Sequence, residues 1–171
     1  MLFAFIGSVI GTIAVQLIDT KALQIVIPVV LLFIAIYFLF APTPNKDAKH
    51  MSDTKYKNMV IPSIGFYDGM FGPGTGSFFT LAGVSCKGLD VVKSTAFAKT
   101  LNFSTNIASL IVFLIAGKIV WIVGFLMMIG QVFGAWIGSH VLFKINPKYL
   151  RVLIVVMSTI MLIKYIYSQL K

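Results

Sequence analysis

The sequence has few of the residues on which soluble enzymes and secreted domains depend. Glutamate is absent, and charged residues make up 11% of the 171 positions, against about a quarter in an ordinary soluble domain. Cys86 is the single cysteine, which excludes an internal disulfide framework and a cysteine cluster for a metal. The two histidines, His50 and His140, have no partner at the spacing of metal ligands. We therefore expect neither a soluble enzyme nor a metal or other cofactor.

Apolar residues account for 58% of the chain, and they are gathered into long runs instead of the spaced pattern of a globular protein. Most of the six runs are near the ~20 residues needed to cross a bilayer; they cover residues 2–18, 22–41, 59–86, 91–116, 119–143 and 149–167. Most lysines and arginines behind the net charge of +9 lie between or at the ends of these runs. Such positions orient membrane proteins, so nucleic acid is not an expected partner. The pattern predicts an all-α, polytopic membrane protein in contact with the lipid bilayer.

The third run is repeatedly interrupted by residues that disfavour one continuous helix; they are Pro62, Gly65, Gly69, Gly72, Pro73, Gly74, Gly76 and Gly83. We expect two half-helices on either side of an unwound stretch. Backbone N–H groups and the positive end of the second half-helix would then meet where an anion can bind, at Gly72, Gly74, Thr75, Gly76 and Ser77. The alternative is that these glycines only permit close helix packing. A nucleotide loop is excluded because no Lys-Ser or Lys-Thr follows them.

Polar side chains in the fourth run extend the predicted site. Lys99, Asn102 and Asn106 lie at helical spacing, on one face with Thr95 and Ser109, so we expect this stripe to face a watery cavity or the broken segment. Lys99 would attract the negative charge of a substrate, and the two asparagines would donate hydrogen bonds to it. The alternative is that the stripe only bonds to neighbouring helices.

Asp68 is the one acidic residue within an apolar run. A carboxylate at such a position is costly unless it is paired, hydrogen-bonded or protonated, so it is a candidate for carrying a coupling proton or ion. Two other roles stay open at this point. Asp68 would then accept hydrogen bonds from free N–H groups of the broken segment, or neutralise Lys99.

The chain also contains an internal repeat, because residues 6–11 (IGSVIG) resemble residues 129–134 (IGQVFG). Runs one and two thus form the end of a first repeat (1–41), followed by a cytoplasmic loop (42–58) and a second repeat (59–171). The charge distribution favours a broken segment that re-enters over one that crosses, which would make the repeats inverted; a crossing segment would make them parallel. Glycines four residues apart, Gly7 and Gly11 and also Gly130, Gly134 and Gly138, indicate close helix packing.

The sequence resembles the sulfite exporter TauE/SafE family of membrane transporters, in particular its YfcA-like branch. The resemblance is carried by residues 65–69 (GFYDG), 71–77 (FGPGTGS) and 96–99 (AFAK), with Asn102, Ser104 and Asn106, and by the later Gly117-Lys118 and Gly130-x3-Gly134. It implies a duplicated helical fold and the export or uptake of sulfite, sulfonates or related carboxylates. Family members usually have a further N-terminal Asp- and Gly-rich segment, and Met1 falls where their third hydrophobic segment begins.

Together these features predict a multi-pass secondary transporter of the bacterial inner membrane, working by alternating access. Its expected partners are a small organic or sulfur-containing anion and the lipid bilayer, with a homo-oligomer as an open alternative to a monomer. We do not expect an enzyme, because intramembrane hydrolysis needs a serine, a histidine or a pair of aspartates in suitable places. The alternative function is a truncated, non-transporting remnant or a subunit of such a transporter.

Overall fold

The computed structural model describes residues 1–19 and 51–142, together with the isolated positions 21–23, 26, 27, 29, 30, 32, 33, 36, 156, 160 and 163. The regular elements in these residues are all helical: α1 (Leu2–Leu17), α2 (Ile61–Met70), α3 (Thr75–Lys87), α4 (Val91–Ile115) and α5 (Trp121–Leu142). The predicted all-α class is therefore confirmed. Most of the second and sixth predicted spans, 22–41 and 149–167, lies outside the described residues.

Two of the described helices are long and apolar enough to cross a membrane, Val91–Ile115 and the stretch Trp121–Gly138 of α5. The helix α1 is apolar but shorter. The chain divides into two compact units, one formed by Met1–Thr20 with Pro42–Ala116 and the other by Lys21–Ala41 with Gly117–Lys171. The first unit therefore contains α1 to α4, and the second contains α5, whose side chains from Trp121 to Gly138 are all exposed.

Within the first unit, α1 and α2 are in backbone contact through two pairs of glycines. A Cβ atom added to any of them would lie 2.1 to 2.5 Å from a carbonyl oxygen of the opposite helix, with Gly7 facing Pro62, Gly11 facing Phe66, Gly65 facing Ala4 and Gly69 facing Ser8. A side chain at any of these positions would push the helices apart, so the glycines set the distance between them. The close packing predicted for Gly7 and Gly11 is thus confirmed.

The corresponding glycines of the second unit behave differently. Among the described residues, no atom lies within 4 Å of a Cβ added at Gly130, Gly134 or Gly138. The close packing predicted for these three is therefore not seen in the part of the chain that the structure describes.

The third predicted run is broken as expected, although its limits differ. Helical structure begins at Asp53, within the predicted loop 42–58, because Ser52 caps this end by accepting a hydrogen bond from the Lys55 N–H. A π-helical turn, Tyr56–Val60, then precedes α2. Pro62 lies directly after this turn and has no N–H for the regular helical hydrogen bond, so a locally wider turn can accommodate it.

The two arms of this segment begin and end side by side. The backbone N–H of Met51 donates to the Cys86 carbonyl at 2.8 Å, and the Lys87 ammonium group pairs with the Asp53 carboxylate. Near the tip, where α2 ends and α3 begins, the rings of Tyr67 and Phe78 meet edge to face with centroids 5.3 Å apart. The segment is therefore a helical hairpin, with α2 as one arm and α3 as the other. It packs through α2 on α1 and through α3 on α4.

Candidate functional site

The tip of the hairpin is a four-residue turn from Phe71 to Gly74. It is one residue shorter than the predicted unwound stretch, Gly72 to Gly76, because α3 begins at Thr75. Gly72 and Gly74 have φ angles of 84° and 82°, in a left-handed region that is costly for residues with a side chain. The Tyr67 hydroxyl donates to the Pro73 carbonyl at 2.6 Å and braces the turn. The position of the break thus follows from local sequence chemistry.

The first turn of α3 presents a hydrogen-bond donor that the described residues leave unused. The Thr75 N–H bonds to the Gly72 carbonyl at 3.3 Å, and the Ser77 N–H bonds to the Gly74 carbonyl at 2.9 Å. No acceptor in the described chain takes the Gly76 N–H between them. Free N–H groups at a helix start carry the positive end of the helix dipole, so this end of α3 is suited to a negatively charged group.

Asn102 brings a second donor to the same place. A Cβ atom added at Gly76 would lie 3.4 Å from Asn102 Nδ2, so the side-chain amide of α4 lies against the start of α3. Its other end is occupied, because Asn102 Oδ1 accepts a hydrogen bond of 3.0 Å from Asn106 Nδ2. Asn106 therefore acts on the site through Asn102, by holding the amide with its NH2 group towards Gly76.

The other predicted site residues have different surroundings. Thr75 is 1% exposed, and its hydroxyl donates to the Gly72 carbonyl at 2.6 Å, so it stabilises the turn. Gly74 and Ser77 are exposed at the hairpin tip, and Lys99 is exposed on α4, one turn before Asn102. The structure thus brings together Gly76 and Asn102, supported by Thr75 and Asn106, while Lys99 stays at the edge of this group.

Asp68 lies near the end of α2, and its carboxylate accepts a hydrogen bond from the Thr105 hydroxyl of α4. Lys99 is not its partner: the ion pairs among the described residues are Lys87 with Asp53 and Lys93 with Asp90. Neutralisation of Lys99, one of the alternatives for Asp68, is therefore not what the structure shows. The carboxylate is held by the uncharged hydroxyl of Thr105.

A buried cluster of hydroxyls surrounds this contact and was missed by sequence reasoning. Ser8 donates to the Thr105 carbonyl at 2.9 Å and Thr12 donates to the Gly69 carbonyl at 3.2 Å. Both lie within 3.0 Å of the Ser109 hydroxyl, the last residue of the predicted stripe. Ser8 and Thr12 directly follow Gly7 and Gly11, so the same four-residue spacing that indicated close packing also placed two hydroxyls beside the contact.

A membrane hairpin with an unwound tip, polar groups at the break and a free helix start is an arrangement by which membrane transporters bind ions and substrates. The comparison with known proteins agrees with that class. The family profile of the Sulfite exporter TauE/SafE family matches residues 1–165, and the chain belongs to this family of membrane transporters.

Curated relatives carry names of the same class. A "Probable membrane transporter protein" of Haemophilus influenzae is 40% identical over 99% of this chain and 67% of its own length. "Probable membrane transporter protein YfcA" of Escherichia coli (strain K12) is 36% identical over 96% of this chain and 62% of its own length. A third relative, "Probable membrane transporter protein ORF9" of Sinorhizobium, is 38% identical over 92% of this chain and 61% of its own length. The chain thus spans about two thirds of these relatives, and no solved structure matches it.

Proposed function

We propose that this chain carries the anion-binding hairpin of a secondary transporter that moves small organic or sulfur-containing anions, such as sulfite or sulfonates, across the bacterial inner membrane by alternating access. The observation that supports this most is the unused Gly76 N–H at the start of α3 with Asn102 Nδ2 beside it. Two converging donors at the positive end of a helix favour an anion over a neutral or cationic ligand. The description of the family as a sulfite exporter favours the same substrate class.

In this proposal each predicted residue has a distinct part in binding. The Gly76 N–H and the Asn102 amide contact the anion directly, and the exposed Ser77 hydroxyl in the first turn of α3 adds a third donor. Lys99 raises the local anion concentration through its charge, since an exposed ammonium group acts at a distance of about a Debye length, ~10 Å at moderate salt. Gly72, Gly74, Thr75 and Asn106 hold the turn and the amide in place.

We also propose that the hairpin is re-entrant, so that it dips into the membrane and both of its arms open to the same side. This is supported by the contacts of Met51 with Cys86 and of Asp53 with Lys87, which join the start of one arm to the end of the other. A re-entrant hairpin would place the polar tip at membrane depth against α4, where non-helical backbone is tolerated if it faces protein or a water-filled cavity. The inverted arrangement of the two repeats follows from this path.

The direct test uses two substitutions at one position. Gly76→Pro removes the unused N–H, and proline is tolerated in the first turn of a helix. Gly76→Ala adds a similar Cβ next to Asn102 but keeps the N–H. In purified protein, we expect sulfite or a small alkyl sulfonate to raise the melting temperature of the wild type and the alanine variant, whereas the proline variant gains no protection. Equal protection of both variants would contradict the proposed anion site.

A flux measurement separates transport from binding. In proteoliposomes, Lys99→Ala is expected to slow anion uptake at low anion concentration while leaving membrane insertion intact. Lys93→Ala is the matched control, because Lys93 is also exposed on α4 but pairs with Asp90. Anion-dependent stabilisation without any flux in the wild-type chain would contradict transport by this chain and favour the alternative, a non-transporting remnant or subunit of such a transporter.

A further inference from the structure

The carboxylate of Asp68 lies between helices without a positive partner among the described residues. Its hydrogen-bond partner is the Thr105 hydroxyl. The nearest α1 side chains are the hydroxyls of Ser8, which donates to the Thr105 carbonyl, and Thr12, which donates to the Gly69 carbonyl. None of these groups carries charge. A carboxylate inside a helical membrane protein is costly without a compensating charge, so the position calls for a cation.

The oxygen atoms around Asp68 outnumber the hydrogens available to them. Thr105 has a single hydroxyl hydrogen, yet its oxygen contacts both the Asp68 carboxylate and, at 2.8 Å, the Asn102 carbonyl. Thr75 lies beside the same turn, where its hydroxyl donates to the Gly72 carbonyl at 2.6 Å. Each hydroxyl can donate only once. The Thr105 oxygen therefore meets one of its two acceptors without a hydrogen between them, a contact that a bound cation would relieve.

These oxygens come from three parts of the fold that meet at the hairpin tip. The carboxylate lies near the end of α2, where the helix dipole is negative, the Gly72 carbonyl belongs to the turn, and Thr105 with the Asn102 carbonyl belongs to α4. A Cβ atom added at Gly72 would lie 3.8 Å from Asp68 Oδ1, so the carboxylate lies against the unwound backbone. Half-helix ends and unwound carbonyls of this kind are suited to Na⁺ or H⁺.

The α1 hydroxyls fix the surrounding backbone. Ser8 donates a hydrogen bond to the backbone carbonyl of Thr105, whose hydroxyl belongs to the oxygen cluster. Thr12 donates to the carbonyl of Gly69, the residue that follows Asp68. Because α1 and α2 touch through glycines, this support cannot easily slide. A rigid shell that fixes the ligands is what an ion site requires for selectivity.

We propose that Asp68, Thr105 and the carbonyls of Gly72 and Asn102 bind a monovalent alkali cation, Na⁺. One carboxylate with neutral oxygens matches a single positive charge, whereas divalent ions are usually held by more carboxylates. Binding of Na⁺ stands on this oxygen cluster alone; its use as the coupling ion rests on the proposed function. Asn102 links the two sites, since its carbonyl faces the cation and its side-chain amide faces Gly76.

The test measures heat stability of the purified full chain in NaCl, KCl or choline chloride at equal ionic strength, without any added substrate. We expect a melting temperature that rises with Na⁺ concentration, as for any ligand that binds the folded state, and that rises less or not at all with the other salts. Asp68→Asn and Thr105→Val should abolish the Na⁺-specific rise. Thr100→Val is the matched control, because that exposed hydroxyl of α4 bonds only within its own helix, to the Ala96 carbonyl.

Thr105→Ser keeps the hydroxyl and should retain the Na⁺-specific rise, which separates loss of a ligand from loss of folding in the valine variant. A rise that persists in Thr105→Val, or is absent in the wild type, would overturn the cation site. The cation site would also be overturned if acid raises the melting temperature and Na⁺ gives no further rise; that result would assign a proton to Asp68. Because chloride is the same in all three salts and no sulfite or sulfonate is added, a failure of the proposed anion site leaves this result unaffected, and the two proposals fail separately.

Discussion

The contact between α1 and α2 predicts a large effect from the smallest possible side chain. In Gly11→Ala, the new Cβ would lie 2.1 Å from the Phe66 carbonyl oxygen and 2.9 Å from its carbon, well inside the 3.4 Å at which ordinary contact begins. The clash is with backbone, so no side chain can rotate away. The helices would have to separate by roughly 1 Å, a distance at which much of the packing attraction across the contact is lost.

Separation would also lengthen the hydrogen bonds that cross this contact. Thr12, the next residue, donates to the Gly69 carbonyl at a distance that is already 3.2 Å. Overpacking typically costs about 1–3 kcal/mol, and a weakened buried hydrogen bond adds about 1 kcal/mol. Against this, alanine gains up to about 1 kcal/mol in helix propensity over glycine. We therefore expect Gly11→Ala to lower the free energy of unfolding by about 1–3 kcal/mol.

The matched control is Gly134→Ala, the corresponding position of the internal repeat. No described atom lies within 4 Å of a Cβ added there, so only the propensity gain should remain, and the melting temperature should stay unchanged or rise slightly. The assay is the loss of helical circular dichroism of both purified variants with increasing temperature and denaturant. Equal stability of Gly11→Ala and Gly134→Ala would refute the conclusion that the α1 glycines set the helix spacing.

Three further predictions concern stability. Tyr56→Phe should stabilise the protein by about 1 kcal/mol in denaturant titration, because the Tyr56 hydroxyl is buried without a hydrogen-bond partner among the described residues. Burial, and then the nearby Cys86, raise the pKa of Tyr56 above its ordinary value of 10.0. The stability that comes from keeping this hydroxyl protonated is fully present below pH 10.0 and is lost as the pH rises through the raised pKa, so the phenylalanine variant should lose stability less steeply in alkali. Asp90 caps the start of α4, and the hydrogen bond from the Lys93 N–H lowers its pKa below the ordinary value of 3.8. This cap contributes to stability above pH 3.8 and is lost as the pH falls through the lowered pKa. Asp90→Asn should remove this pH dependence from acid titrations of stability. Thr12→Val should lower the free energy of unfolding by about 1–2 kcal/mol, because the bonds of Thr12 to Gly69 and Ser109 are lost. Thr95→Val should change the melting temperature little, because the Thr95 hydroxyl bonds to the Val91 carbonyl of its own helix.

Local chemistry was sufficient to predict the helical class and the place of the break. Glycines at positions 72 and 74 around Pro73 permit a turn that other residues disfavour, and nearby residues alone decide this. The pairing of Asn102 with the start of α3 was also within reach, because the spacing of the polar residues on α4 and the helix start after the break are both properties of short segments.

Residues far apart in the chain decided the rest. Whether the hydroxyl of Thr75 faces a substrate or closes the turn depends on its burial against other helices, and the position of Lys99 at the edge of the site depends on how α4 is rotated. The partner of Asp68 could not be read from the sequence, since Thr105 is 37 residues away and Ser8 meets Thr105 across 97 residues. Hydrophobic periodicity states that a helix is buried but does not state which helix covers it.

The sequence by itself therefore determined a helical membrane protein of the TauE/SafE family, with a Gly- and Pro-rich segment broken near Gly72 to Gly76, because backbone conformation and transfer into lipid depend mainly on the residues themselves. The tertiary structure alone decided that glycines of α1 and α2 touch, and that hydroxyls from α1 and α4 gather near a single carboxylate. That decision depends on which small residues face each other when two helices meet, and such matching exists only once the helices are packed.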